Sequence, residues 1–356
     1  GRAAARTSPG RVAGPVPALW RRARRVCPSH AGRGFSRGRV AGTAARVVRV
    51  RVVLPRPGPA ASRRPRARFW DGDRRGAGDP ARITRRGPAT GSGVKYEIKE
   101  LTDLEDLRRL AELFAVVWGR PGEPPMSSDI LRALGHSGNY ISGAFADGRL
   151  IGGLVGWLGG DPRHELHMHS HILGVLPDNE ARGLGFGLKQ HQRTWCLERG
   201  VMVMEWTTDP LVRRNAYFNL TKLGAEAPRY LVDFYGQMRD GINAGDESDR
   251  LLIRWRLDSR KAEAAASGET LEPDVGTYRG QPILSVGQDD APVFTASSSR
   301  VLLCETPTDI VALRRAHPAL ARAWRMAMRE ALGGALDDGY VITGATRAGW
   351  YVLEKQ

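Results

Sequence analysis

The chain has 356 residues, 41% of them hydrophobic, and a formal net charge of +16. The charge is unevenly placed: residues 1–92 hold 23 Arg, no Lys and three acidic side chains, while the other 264 hold 31 basic and 35 acidic ones. The body is mildly acidic, which argues against nucleic-acid binding there. Its two cysteines, Cys196 and Cys304, with Cys27 in the basic segment, have no CxxC spacing and so no disulfide scaffold or Cys-rich zinc site.

Residues 1–92 are Arg, Ala, Gly and Pro without sustained periodicity. Such a segment buries too little apolar surface to offset its ordering entropy and reads as disordered. Three roles stay open for it: an organelle transit peptide, a nucleic-acid-binding arm, and an extension without function, an upstream GC-rich stretch read as protein. The complete lack of Lys favours the last, and the missing initiator Met points to an incomplete or misplaced start.

The body starts near Val94. KYEIKEL (95–101) alternates as a strand, and Thr102 with Glu105 forms a candidate capping box for a helix through DLEDLRRLAELFAVVWG. After the RPGEPP break, SSDILRALGHSG reads as a second helix. NYISGAFADG and RLIGGLVGWLGG form a hairpin turning at Asp147-Gly148. The apolar run Leu150–Leu158 is too short to span a membrane, and the reading is a protein of a reducing compartment, the cytoplasm.

HELHMHSHILGVLP (164–177) is the longest strand candidate and leads into a helix from about Arg182 to Arg199, stopped by Gly200. VMVMEWTTD reads as a buried strand, LVRRNAYFNLTKLG as a helix ending at Gly224, and RYLVDFYG and RLLIRWRLD as strands. Residues 94–259 thus read as one domain and 260–273 as a linker. Residues 274–356 read as a small α+β appendage, with strands at Ile283–Val286 and Val301–Cys304 and helices from Thr308 to about Leu336. Pro318 breaks this helical region, and Leu320, Trp324, Met328, Leu332 and Leu336 form one apolar core stripe. GWYVLEK is the last strand.

The stretch VLPDNEARGLGFGLKQ (175–190) joins a strand, a glycine loop and a helix N-terminus, a general anion site. It lacks the Lys-Ser/Thr of a Walker loop, because Leu188-Lys189-Gln190 follows Gly187, and Leu188 stands where a dinucleotide fingerprint needs its third glycine. It resembles motif A of the GNAT superfamily of acyl-CoA N-acyltransferases: a strand ending in Val, a short loop, then Gln/Arg-x-x-Gly-x-Gly/Ala. Counted from Val175, Gly183 and Gly185 take both glycine positions. Glu180 stands where the family has Gln or Arg, and a frame moved by two (Arg182, Gly185, Gly187) also fits. The resemblance covers about Lys95–Asp258, includes the helix ending KLG (Lys222–Gly224), and extends to a poorly characterised bacterial branch of predicted acetyltransferases.

The resemblance implies a GNAT-like α/β (α+β) fold: a mixed, mostly antiparallel sheet whose fourth and fifth strands splay, plus the small C-terminal α+β appendage. It implies acetyl-CoA as co-substrate. Backbone amides of Arg182, Gly183, Leu184, Gly185, Phe186 and Gly187 would hold the diphosphate, and Leu173, Gly174 and Val175 the pantetheine amides. Asn215 is a further cofactor contact. No metal is expected, because no third ligand accompanies the histidines.

For chemistry, strand alternation puts His167, His169 and His171 on one face. In histone-modifying GNAT members a glutamate six residues before the motif valine is the general base; that count lands on His169, whose imidazole titrates near neutrality when unperturbed. Structural or metal roles for these histidines stay open. Glu205 is a second base candidate. The family's tyrosine proton donor, four residues before the KLG glycine, is here Leu220, which leaves Tyr217 as a displaced donor. Trp118, Met126, Tyr230, Tyr235, Asp249 and Arg250 are candidates to line the acceptor pocket. The implied activity is N-acetylation of a small-molecule or peptide amine. Acyl-CoA binding without catalysis is the alternative, nucleic-acid binding through the tail is a lesser one, and self-association stays open.

Overall fold

The computed structural model describes residues 96–161, 164–178, 183–238 and 246–356. They build two sheets. The first carries seven strands: β1 (Glu97–Glu100), β2 (Tyr140–Ala146), β3 (Arg149–Asp161), β4 (His164–Val175), β5 (Val203–Thr208), β6 (Glu226–Leu231) and β7 (Arg250–Arg256), in the order β1-β2-β3-β4-β5-β7-β6. All its neighbours are antiparallel except β4 and β5.

Local chemistry explains the main turns. The β2–β3 hairpin turns at Asp147 (φ 48°) and Gly148 (φ 76°), the left-handed pair a two-residue turn requires. Helix α1 (Leu104–Val117) starts one residue later than the capping box implied. Asp103, not Thr102, caps it, accepting from Glu105 N and Asp106 N, because its carboxylate adds charge to the cap at the positive helix end. The strand expected over RYLVDFYG lies earlier, at Glu226–Leu231, and gives way to a turn in which Asp233 has φ 43°.

Helices α1 and α2 (Ser128–His136) cover one face of the sheet, around Leu110, Phe114, Leu131, Val155 and Ile172. The other face receives α3 (Leu184–Leu197), through Leu184, Leu188 and Trp195. Helix α4 (Arg213–Ala216) continues into a π-helical turn, Tyr217–Lys222, ending at Gly224 (φ 69°). A Cβ at Gly224 would lie 2.9 Å from Lys261 O, so glycine fits that close approach.

Residues 260–273, expected as a linker, hold helix α5 (Arg260–Ala266), capped by Ser259 and buried at Ala262 and Ala265. After α6 (Val275–Tyr278) come β8 (Gln281–Val286), β9 (Pro292–Phe294), β10 (Val301–Glu305), α7 (Ile310–Ala316), α8 (Pro318–Met328), α9 (Gly334–Asp337), β11 (Tyr340–Ala345) and β12 (Trp350–Lys355). The second sheet runs β11-β12-β10-β8-β9. Pro318 opens α8, where its missing N–H costs nothing. Trp324, Met328 and Leu332 of the expected stripe are fully buried.

A single apolar cluster runs from Leu188, Trp206 and Trp255 of the first sheet to Trp324, Tyr351 and Leu353 of the second. Beside it, Arg325, fully buried, grips Asp209 (3.0 Å) at the end of β5 and Asp246 (2.9 Å) before β7; Arg314 also bonds both carboxylates. Burial alone would raise the Asp209 carboxyl, but Arg325, Arg314 and Arg250 hold it well below the usual carboxylate range.

Candidate active site

Strands β4 and β5 pair over two steps only, Met168↔Met204 and His169↔Glu205. Beyond them β4 runs on to Val175 and β5 to Thr208 without pairing to each other, so a wedge opens from Ser170 and Trp206 outward. The divergence has a local cause. In the β3–β4 ladder Val155 faces Ile172 and Gly156 faces Ser170, which leaves His171 as an extra residue; such a bulge bends and twists the strand that carries it.

Leu176 N bonds Ile151 O and closes the β3–β4 register. By the alternation of an antiparallel ladder, Gly174 then spends its peptide groups on β3, whereas those of Leu173 and Val175 turn toward the wedge. Gly174 serves another purpose: a Cβ there would press on Phe114 at 2.9 Å and Trp118 at 3.2 Å. The expected acceptor residue Trp118 therefore lies on β4 at the level of Gly174, and Met126 is buried in the core under α1 and α2.

At the wedge's outer end Gly183 takes a left-handed conformation (φ 71°) and opens α3, which no side chain caps. The first helical bond is Gly187 N to Gly183 O, 3.1 Å, so the amides of Leu184, Gly185 and Phe186 are the orphan donors of the helix start. The glycines differ in function. A Cβ at Gly185 would meet only Leu173 Cδ2 at 3.7 Å, whereas one at Gly187 would lie 2.6 Å from the Tyr96 hydroxyl. Gly187 is thus small for packing, and the geometry favours the frame of Gly183 and Gly185. Arg182 and Glu180 lie outside the described residues.

Across the sheet, the rings of His169 and His171 lie 4.9 and 4.5 Å from Trp157 and 5.7 Å from each other. His167 Nδ1 is 3.0 Å from Glu165 O, and its Nε2 is 3.8 Å from Glu205. Glu205 is held by Arg254 at 2.7 Å, which also binds Glu165 at 2.8 Å. Burial, then the neighbouring His171, His167 and Lys189 charges, push His169 down to about 4; burial also lowers His171. The expectation of an imidazole titrating near neutrality is corrected: His169 is neutral, and weakly basic, throughout the physiological range. Among the described residues no group of His, Cys, Asp or Glu is arranged to hold a metal ion.

Tyr217 is held by the C-terminal part. Its hydroxyl donates to Glu272 (3.3 Å) and accepts from Arg347 (3.4 Å), so the displaced-donor role has a competing engagement with the C-terminal part. Asn215 sits half-buried in α4. Tyr230 donates to Asp249 (2.8 Å), which Arg329 also binds, and Arg250 packs 3.6 Å from Asp209; these three expected acceptor residues join the charge network between the sheets. Tyr235 is 43% exposed and its hydroxyl is 2.9 Å from Thr207 Oγ1, which leaves it on the open face.

Sequence reasoning missed Lys189. Its Nζ bonds Ser170 Oγ at 2.8 Å and lies 3.6 Å from the Trp206 ring centre. The signal was present: Lys189, Gln192 and Cys196, at helical i, i+3 and i+7 spacing, share one side of α3 and are all buried.

Residues 104–224 match the acetyltransferase (GNAT) family model. No curated protein matches the chain. Among solved structures it is similar to a putative GNAT-family acetyltransferase from Desulfovibrio desulfuricans, with 17% identity, 46% of this chain and 99% of that one covered, and a TM-score of 0.36. It is also similar to the ribosomal-protein-S18-alanine N-acetyltransferase from Escherichia coli, with 15% identity, coverage of 46% and 96%, and a TM-score of 0.36. A third is an aminoglycoside acetyltransferase from an uncultured soil metagenomic sample in complex with sisomicin, with 21% identity, coverage of 32% and 78%, and a TM-score of 0.30. The family match identifies residues 104–224, which carry the wedge and the uncapped glycine-rich helix mouth, as a GNAT acetyltransferase domain.

Proposed function

We propose that the protein transfers an acetyl group from acetyl-CoA directly to the amine of a small molecule or peptide. The observation that carries this reading is the ladder that stops at His169↔Glu205. Pantetheine would lie in the wedge, its amides completing the bonding of Leu173 and Val175. The diphosphate would accept from the amides of Leu184, Gly185 and Phe186, where the helix dipole favours negative charge. In this reading residues 94–259 are the acyltransferase domain and 274–356 a C-terminal α+β appendage packed against it.

The acceptor amine would approach from the face of His169, His171 and Tyr235. It must lose a proton as the tetrahedral intermediate forms. His169, neutral and beside the wedge, is the proposed acceptor of that proton, with His171 next to it and Glu205, salt-bridged to Arg254, as a fixed negative charge. Leu220 in place of a tyrosine, and the engagement of Tyr217 with Glu272, favour a second reading in which acyl-CoA binds without turnover.

Calorimetry with CoA and acetyl-CoA, followed by thiol release against an amine panel, tests both. Binding with release supports transfer, binding without release supports the second reading, and no binding overturns both.

A further inference from the structure

Lys189 is 4% exposed. A buried ammonium is costly unless paired, and among the described residues no carboxylate bonds it. Its neighbours are Ser170 Oγ, the Trp206 ring and Met204 Sδ at 3.9 Å. Ser170 donates in turn to Gln192 Oε1 at 2.7 Å, which fixes it as an acceptor for Nζ.

The placement is specific. Ser170 and Trp206 are the first residues of β4 and β5 past the last paired step, so Nζ spans the apex of the wedge. From Val175, at the outer end, to Ser170 the facing strand β3 advances four residues, Gly152 to Gly156, because His171 is the extra residue of the bulge; that is roughly 13 Å of strand. Pantetheine has a backbone of about thirteen bonds, a little over four residue lengths, or roughly 15 Å extended. A cofactor anchored at the helix mouth and laid along β4 therefore brings its sulfur to Ser170, beside Nζ.

We propose that Lys189 is a further catalytic residue, the donor of the proton that the departing CoA sulfur takes up. The inference rests on the reading that CoA occupies the wedge. In the step, the acceptor nitrogen forms its bond to the acetyl carbon and the C–S bond breaks. The electron pair goes to sulfur, and one Nζ proton follows it. CoA leaves as the thiol, Lys189 is left as a neutral amine, and solvent returns its proton once the wedge empties. The extra proton of the acceptor nitrogen departs on the opposite face, toward His169.

The surroundings suit the task. Burial lowers Lys189 to about 7, slightly offset by the nearby Cys196, so the ammonium gives up a proton readily. The titratable groups around Nζ are Cys196 on α3, whose thiol burial pushes up to about 12, and His169 on β4. Lys189 would fill the role left open by Leu220.

The test uses the full chain with Lys189→Met, which continues the apolar wall of Met204 and Trp206, and Lys189→Gln, which can still bond Ser170 but cannot supply the proton. CoA affinity, read by calorimetry, should stay within threefold for both. With the best amine of the panel, kcat from acetyl-CoA should fall about 10²-fold, a typical general-acid contribution. From the acetyl selenoester of seleno-CoA, whose selenolate leaves unprotonated, the fall should be under threefold. Equal losses on the two donors, or no loss, overturn the proposal. So does a wild-type chain that binds CoA but turns over no amine, which leaves the cofactor reading standing. Failure of the wild type to bind CoA removes both. Should Lys189→Met not fold, Lys189→Gln alone gives the same contrast.

Discussion

At the scale of single residues, two glycines of one motif separate affinity from stability. A Cβ at Gly185 has room, with only Leu173 Cδ2 3.7 Å away, but stands among the amides assigned to the diphosphate. Gly185→Val should therefore weaken CoA binding by about tenfold or more, roughly 1.4 kcal/mol, with little change in Tm. Gly187→Val should do the opposite, lowering Tm through its clash with Tyr96 while the folded fraction keeps its affinity. Calorimetry beside thermal melts reads both. Lys189 carries a prediction separate from catalysis. Its folded pKa of about 7 lies below its ordinary value, so the unfolded chain holds more protons between about 7 and 10.5 and stability rises with pH across that window. Lys189→Met removes this cost. It should raise Tm at pH 7, and its advantage over wild type should shrink as pH approaches 10.5. His169 follows the same sign: below its unfolded value near 6.5 the native state loses stability, down to about pH 4. A rate limb belonging to His169 should therefore fall near pH 4, and His169→Gln should remove it; a limb near neutrality that survives His169→Gln belongs to another group.

At the scale of elements, the strand, the glycine loop and the start of α3 were legible because their signals are local: a strand ending at Val175, then glycines at fixed spacing before an apolar helical face. The element order across 97–256 follows from such periodicities as well. The bulge at His171 was not legible. It depends on how β3 registers against β4, and nothing within HELHMHSHILGV marks which residue is extra. Nor was the fate of Tyr217. The turn after Ala216 is π-helical, which changes the side-chain directions relative to an α-helix, and the partners Glu272 and Arg347 lie 55 and 130 residues away. Residues 260–273 read as a linker because RKAEAAASGETLEP has little apolar content. Only the packing of Ala262 and Ala265 against the body shows α5 to be buried.

At the scale of the whole molecule, the two sheets share one apolar core and one buried charge network. Asp209 lies 116 residues from Arg325, and no short-range pattern connects them. Removing one member leaves buried charges under-compensated, which is more costly than replacing the whole set. Arg325→Met should destabilise the chain by about 3 kcal/mol or more, seen as a large fall in Tm, whereas the exposed Arg322, 3.4 Å from Glu247, should matter little when replaced by Ala. A chain ending at Asp258 would expose the surface that Trp324 and Tyr351 cover and should lose its cooperative transition. An independently melting first sheet would contradict this. Among the described residues no helix is long and apolar enough to cross a membrane.

The central claim is that the gap beyond His169↔Glu205 receives CoA. A crystal structure of the full chain with CoA bound tests it most directly. The account predicts diphosphate oxygens within about 3 Å of the amides of Leu184, Gly185 and Phe186, pantetheine amides bonded to Leu173 or Val175, and the sulfur beside Ser170. CoA bound elsewhere, with the gap still empty or closed by pairing of β4 with β5, would contradict it.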